Sequence, residues 1–316
     1  RDPAAAIGDG LTINRMTYAI RRRESMYMEY IIAHHPDFAN KGIHVWRDRY
    51  CKTRMEGGDE QVLSDHVMAI GISQRTSADA IQDLASTLFE ESKFDTVLAV
   101  KIPHSHAMMH LDTVFTMVNY DQFTMDAEIL DKRGESELYL LHPGKDGEIK
   151  IETRNKLDKT LCEILGKSEI DIMFTGNGDS IVAAREQWND GSNTLCVSPG
   201  KICVYQRNSV TNDVLYKEGL DLLVIPSAEL SRGRGGPRCM SMPFEREELI
   251  AAAQYNHVVL QQPAVEPRGE CKDPSFIYGG IAERIGLGEY FKKEDGAPMM
   301  AADWIRMRLN SPHPFL

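Results

Sequence analysis

Ile81, Leu84, Ala85, Leu88 and Phe89 fall at the spacings of one apolar helix face. The helix they predict lies between short apolar runs: 61–63 and 67–72 before it, joined by a turn at Ser64-Asp65, and 97–102 after it. A strand–turn–strand–helix–strand segment buries its apolar helix face by laying the helix across its own strands. The pattern recurs. Strands at 4–7 and 11–13 flank Gly8-Asp9-Gly10, with a helix over 20–34 and a strand at 43–46. A third unit has strands at 113–118 and 123–125, a polar insertion over 131–149, a helix over 157–165 and a strand at 170–174. A fourth has strands at 193–197 and 202–205 around Ser198-Pro199-Gly200-Lys201, a helix over 212–218 and a strand at 222–225. The pattern predicts an α/β chain of four ββαβ units; from the pattern alone, a plain α/β or α+β sheet stays open.

The chain has 316 residues and a formal net charge of −11. That balance excludes a nucleic-acid surface or a polybasic membrane anchor, and suits a cationic small-molecule partner. No apolar run reaches the roughly 18 residues of a membrane span. The six cysteines form no CxxC pair, which fits reduced thiols in a cytoplasm. The chain opens Arg1-Asp2-Pro3 without a signal peptide, as though cut from something longer.

Four segments carry chemistry. Ser231-Arg232-Gly233-Arg234-Gly235-Gly236-Pro237-Arg238-Cys239-Met240-Ser241-Met242-Pro243 sets a cysteine behind a cationic, glycine-rich loop. A thiol attacks as thiolate, and neighbouring guanidinium groups favour that form. The others are Arg1-Asp2-Pro3, Glu56-Gly57-Gly58-Asp59 and Met109-His110-Leu111-Asp112-Thr113-Val114-Phe115. A strand beginning near residue 112 would put His110 and Asp112 on one face. Each segment has a plainer reading: a buried cysteine, a solvated Arg21–Arg23 helix face, a turn with φ > 0 glycines. His104-Ser105-His106-Ala107-Met108-Met109-His110-Leu111-Asp112 also has metallohydrolase-like spacing.

Taken together and in this order, the four motifs resemble arginine deiminase, an enzyme that hydrolyses L-arginine to L-citrulline and ammonia. The segment from Asn177-Gly178 through Ala183 to Asn193 resembles the loop before that family's last module, although its composition alone says only "turn". The resemblance implies the pentein fold, a pseudo-fivefold α/β propeller of ββαβ modules, for residues 1–248, with the leading module lacking. It implies Cys239 as nucleophile, Asp2 and Asp112 as the grip on the guanidinium, and Glu56 and His110 about the reacting carbon, with His110 moving the proton. Arg21 and Arg75 match the clamp for the substrate α-carboxylate, and Arg234 a mobile gate. The resemblance further implies a cytoplasmic enzyme with no cofactor or metal, and a homo-oligomer for the full-length parent. Amidinotransferases and dimethylarginine hydrolases share the fold, but the spacing from Arg234 to Cys239 and the run Gly236-Pro237-Arg238-Cys239-Met240-Ser241-Met242-Pro243 favour the deiminase. An inactive or incomplete fragment is the further alternative, and the parent is expected to outperform the chain itself. Residues 249–316 read as an extension. There Pro263-Ala264-Val265-Glu266-Pro267-Arg268-Gly269-Glu270, ahead of a helix at 281–286, resembles part of a molybdopterin-dependent oxidoreductase, in a stretch too short to hold that cofactor alone.

Overall fold

Each helix expected in the four units lands against strands that flank it; the helix expected at 281–286 lies outside the described residues. The computed structural model describes residues 1–243 except 40, 106, 229 and 234, together with Lys292 and Lys293. By internal contacts the chain divides into Arg1–Val258 and Val259–Leu316. The resemblance drawn over 250–316 lies outside the described residues, those two lysines apart.

In the first unit β1 (Ala4–Ile7) and β2 (Gly10–Ile13) pair antiparallel, and α1 (Arg22–His34) leads to β3 (His44–Arg47), parallel to β2. In the second, β4 (Glu60–Val62) pairs antiparallel with β5 (Val67–Ile72), and α2 (Ala78–Glu91) crosses to β6 (Thr96–Lys101), parallel to β5. A short helix, α3 (Leu111–Val114), opens the third unit, followed by the hairpin β7 (Phe115–Met117) and β8 (Gln122–Met125). Next come β9 (Leu138–Pro143), β10 (Ile149–Arg154), α4 (Leu157–Leu165) and β11 (Asp171–Phe174), the last parallel to β8. After α5 (Ser180–Trp188), the fourth unit is β12 (Leu195–Ser198), β13 (Lys201–Tyr205), α6 (Ser209–Lys217) and β14 (Asp221–Ile225). The described strands thus make four sheets with the same antiparallel-then-parallel step.

Strands buried on both faces read as continuous apolar runs rather than alternating ones, and β5 and β6 show this. Val67, Ala69, Leu98 and Val100 point to a core shared with Phe115, Phe123, Leu140 and Leu161. Their neighbours Met68, Ile70, Val97 and Ala99 point the other way, onto Ile81, Leu84, Ala85 and Leu88 of α2. Burying each of those Ile and Leu side chains contributes about 1.5–3 kcal/mol. The α2 helix starts where the Ser77 hydroxyl accepts from the Ala80 N–H. Among the described residues, no helix is long and apolar enough to cross a membrane.

Three local expectations are corrected. The polar insertion over 131–149 contains β9 and runs into β10; the two form an antiparallel hairpin that extends the second sheet, with β9 beside β6. Its outer strand is an edge, so polar residues there face water at little cost. The segment at 111–114 is a helical turn rather than the start of a strand, because Asp59 draws the Leu111 N–H inward. The turn-like segment before β12 contains α5, whose first amides at Ile181 and Val182 are capped by the Asp179 carboxylate.

Candidate active site

The site is built where the loop carrying Glu56 meets the turn carrying His110. Asp59 is fully buried and ties the two: one carboxylate oxygen accepts the Ser73 hydroxyl at 2.6 Å, the other the Leu111 N–H at 2.8 Å. Neither Gly57 nor Gly58 has positive φ, so the plainer alternative of a φ > 0 turn does not hold. Gly58 is glycine because of close approach: a Cβ there would stand 2.6 Å from Cγ of His110.

His110 lies against two carboxylates. Its Nε2 is 2.9 Å from Glu56 Oε2, and its Nδ1 is 3.7 Å from Asp2 Oδ1. Glu56 is buried and also accepts the Thr17 N–H at 2.9 Å, while its own N–H donates to the Thr76 hydroxyl at 3.1 Å. On the other side Asp112, fully buried, accepts from Arg238 Nη1 at 2.9 Å. The Cys239 sulfur lies 4.0 Å from the same Asp112 oxygen, Oδ2. Asp112 Oδ1 is buried and has no hydrogen-bond partner among the described residues. An unsatisfied buried acceptor costs about 1–3 kcal/mol, so such an atom calls for a donor from elsewhere.

The charges have clear physical causes. Burial alone would lower the His110 pKa, but the carboxylates of Asp2, Glu56, Asp59 and Asp112 raise it to about 9. Burial would raise Asp2, yet His110, the amino terminus and Arg21 bring it down to about 2. Burial would likewise raise Glu56, but hydrogen bonds from His110 and Thr17, with the charge of Arg75, hold it below the ordinary carboxylate range. Partial burial and the carboxylates of Asp112, Asp2 and Asp190 push the Cys239 thiol well above its usual range. Of the guanidinium groups expected to favour a thiolate, Arg238 is engaged by Asp112 rather than by the sulfur, while Arg234 and the Arg232 side chain lie outside what the structure describes. The upward shift of His110 favours its protonated form near neutrality, which suits the proton-moving role expected of it.

The fold thus gathers Asp2, Glu56, His110, Asp112 and Cys239. Arg21 and Arg75 are at the site too, but on its carboxylates rather than as an open clamp. Arg21 Nη2 is 3.0 Å from Asp2 Oδ2 and 2.9 Å from Glu24, and Arg75 Nη1 is 2.9 Å from Glu56 Oε2. Arg21 is thus shared between Asp2 and its helix neighbour Glu24, and Arg75 faces Glu56. Arg234 lies outside the described residues. For a metal, the donors close enough together among the described residues are Asp2, Glu56 and His110. The His-x-His spacing contributes nothing to that group: His104 is not in it and His106 lies outside the described residues. Sequence reasoning missed Asp59, Arg238 and Asn193 as builders of the site. Their motifs were visible, but their partners lie far along the chain.

The His110 shift makes stability depend on pH. A folded pKa raised to about 9 from 6.5 means its contribution is complete below about pH 6.5 and is lost as pH rises through 9. Burial raises Glu60 to about 7 from 4.5, which removes stability in the same direction over pH 4.5–7. We expect the Tm to fall by roughly 5–10 °C between pH 6.5 and 9. His110→Asn should flatten that window, and Glu60→Gln the lower one. Melts across pH 4–10 check this, and a Tm that rises through the upper window would contradict it.

The arginine deiminase family model matches residues 1–246. The chain is 60% identical over 249 residues to the arginine deiminase of Oenococcus oeni, covering 79% of this chain and 60% of that protein. With the arginine deiminase of Levilactobacillus brevis the identity is again 60%, over 79% of this chain and 61% of the other. The chain belongs to the arginine deiminase family. It spans about three fifths of the length of the curated relatives it matches. Solved structures share the mixed α/β fold at low identity. The product-bound N-terminal domain of ArgZ, an arginine dihydrolase, matches at a TM-score of 0.54 and 15% identity, over 78% of this chain and 75% of that one. A dimethylarginine dimethylaminohydrolase adduct with S-methyl-L-thiocitrulline matches at 0.53 and 16%, over 76% and 74%. Family membership sets aside the amidinotransferase and dimethylarginine hydrolase readings, while these two structures speak for the fold alone.

Proposed function

We propose that residues 1–248 carry the catalytic centre for hydrolysis of L-arginine to L-citrulline and ammonia, by way of an amidino-cysteine. The observation that carries the proposal is the bare, buried Oδ1 of Asp112, whose other carboxylate oxygen lies 4.0 Å from the Cys239 sulfur. A planar guanidinium offers paired N–H donors that a carboxylate accepts in directional fashion.

In this scheme Asp112, Asp2 and Glu56 take the substrate cation. Its positive charge offsets the carboxylates that keep the thiol protonated, and the thiol proton leaves to water. The thiolate sulfur bonds to the guanidinium carbon, and the C–N bond to the departing nitrogen breaks. The His110 imidazolium gives that nitrogen its proton, and ammonia leaves. Neutral His110 then takes a proton from water, whose oxygen bonds to the amidino carbon. The C–S bond breaks as the adduct's hydroxyl proton passes to the departing sulfur, releasing citrulline and the resting thiol. Arg21 and Arg75 must exchange the site's acids for the substrate α-carboxylate, so each arginine trades one anion for another on binding.

Citrulline release by the 316-residue chain from L-arginine, with and without a chelator, tests the proposal. Chelator-resistant release supports it. Release that disappears with the chelator would favour a metal on Asp2, Glu56 and His110, and no release with bound arginine would support an incomplete fragment. Gly58→Ala should reduce kcat about 10²-fold by displacing the imidazole; an unchanged kcat would contradict the role given to His110.

We read the four ββαβ units as four of the five modules of a pentein propeller, in a cytoplasmic enzyme that is a homo-oligomer in its full-length form. What supports this is their shared strand order and the family. For 249–316 the proposal stays a separate segment resembling a molybdopterin oxidoreductase, resting on its sequence motif alone.

A further inference from the structure

We propose that Asn193 is the positioning residue that holds the nucleophile of Cys239 in register with Asp112. The inference rests on the reading of Cys239 and Asp112 given above. Asn193 is fully buried in the loop between α5 and β12. Its Oδ1 accepts the Cys239 N–H at 3.0 Å, and its Nδ2 donates to the Asp112 carbonyl at 2.8 Å. One planar amide therefore links the backbone of the sulfur-bearing residue to that of the residue offering a bare carboxylate oxygen. Because the amide is flat and rigid, the two backbones cannot shift independently without breaking one of these bonds.

The platform beneath Asn193 is itself held. Its N–H donates to the Asp190 carbonyl at 3.1 Å, and the Ser192 carbonyl accepts the Thr124 hydroxyl at 3.1 Å. Ser192 Oγ pairs with Thr175 Oγ1 at 2.6 Å. The cysteine loop approaches so closely that Gly236 has no room for a side chain. A Cβ there would press on Asn193 Oδ1 and stand 2.7 Å from its Cβ. The glycine before the cysteine thus serves contact with Asn193 as much as loop movement. The loop has other anchors: the Tyr205 hydroxyl donates to the Gly235 carbonyl and the Arg1 backbone nitrogen to the Cys239 carbonyl, each at 2.8 Å, and Arg238 reaches the Asp112 side chain, whereas Asn193 joins the backbone of Cys239 to that of Asp112.

Asn193→Ala removes both bonds and should lower kcat about 10²-fold with KM within about threefold, as a small misplacement of a reacting group does. A second readout does not depend on turnover. Iodoacetamide alkylation followed by peptide mapping measures each cysteine of the full chain separately. Freed from Asn193, the Cys239 sulfur leaves its acidic surroundings and reacts about tenfold faster near pH 8. Cys196, buried and with its thiol pushed up to about 12, is the internal control for general loosening. Gly236→Ala should accelerate Cys239 as Asn193→Ala does. Asn193→Asp keeps the acceptor for the Cys239 N–H and adds negative charge, so it should lower kcat without faster alkylation. Acceleration of Cys239 alone, in both alanine variants, is the expected result. Cys239 reacting at the wild-type rate in both, or in step with Cys196, would overturn the proposal. Absence of citrulline release by the wild-type chain would count against the proposed reaction and leave the alkylation comparison to judge Asn193.

Discussion

Cys239→Ala is expected to lower citrulline release by at least about 10⁴-fold while L-arginine still binds within about tenfold of the wild-type affinity. The split follows from the geometry. The sulfur forms the bond, but the cation is held by carboxylates: Asp112 with its bare Oδ1, Asp2, and Glu56. Removing the sulfur leaves these in place, and the backbone N–H of residue 239 still reaches Asn193. Calorimetric binding beside a citrulline assay checks both halves. Turnover that survives the substitution would refute the nucleophile.

Asp112→Ala should damage binding and stability together. The Arg238 guanidinium is buried and donates to Asp112 Oδ2 at 2.9 Å. Deleting Asp112 takes a carboxylate partner from the buried Arg238 guanidinium, and breaking such a buried pair costs about 3–5 kcal/mol. That corresponds to a Tm lowered by roughly 10 °C. The same deletion takes away the unpartnered oxygen, so the Kd for L-arginine should rise at least about 100-fold. Asp112→Asn keeps the shape and one acceptor for Arg238. It should recover much of the Tm and little of the affinity. Recovery of both would mean that charge at this position is unimportant for the ligand.

Much of this architecture can be read from spacing. The α2 stripe and the two-sided runs of β5 and β6 predict elements that the structure contains, because local periodicity and long-range burial agree there. The misses occur where tertiary contacts override local signals. In β10, exposed positions interrupt the apolar ones, as an edge strand permits, so the hairpin it makes with β9 read as a polar insertion. The turn at 111–114 depends on a carboxylate 52 residues away, which no window of sequence includes. At the site, the motifs single out Asp2, Glu56, His110, Asp112 and Cys239 by residue type and order. What they cannot reveal is who pairs with whom. Arg21 and Arg75 lie on acids rather than open to a carboxylate, Arg238 is engaged by Asp112, and a turn-like Asn193 bridges two backbones. Ionisation follows pairing, so the upward shifts of His110 and Cys239 could not be anticipated from composition.

The most direct test of the central claim is acid quenching of the chain within a single turnover with L-arginine, then mass mapping of its cysteine peptides. The account predicts a mass increase of one amidino group on the Cys239 peptide, absent in Cys239→Ala and lost as citrulline appears. Citrulline released with no adduct at any time, or an adduct on a different cysteine, would contradict it.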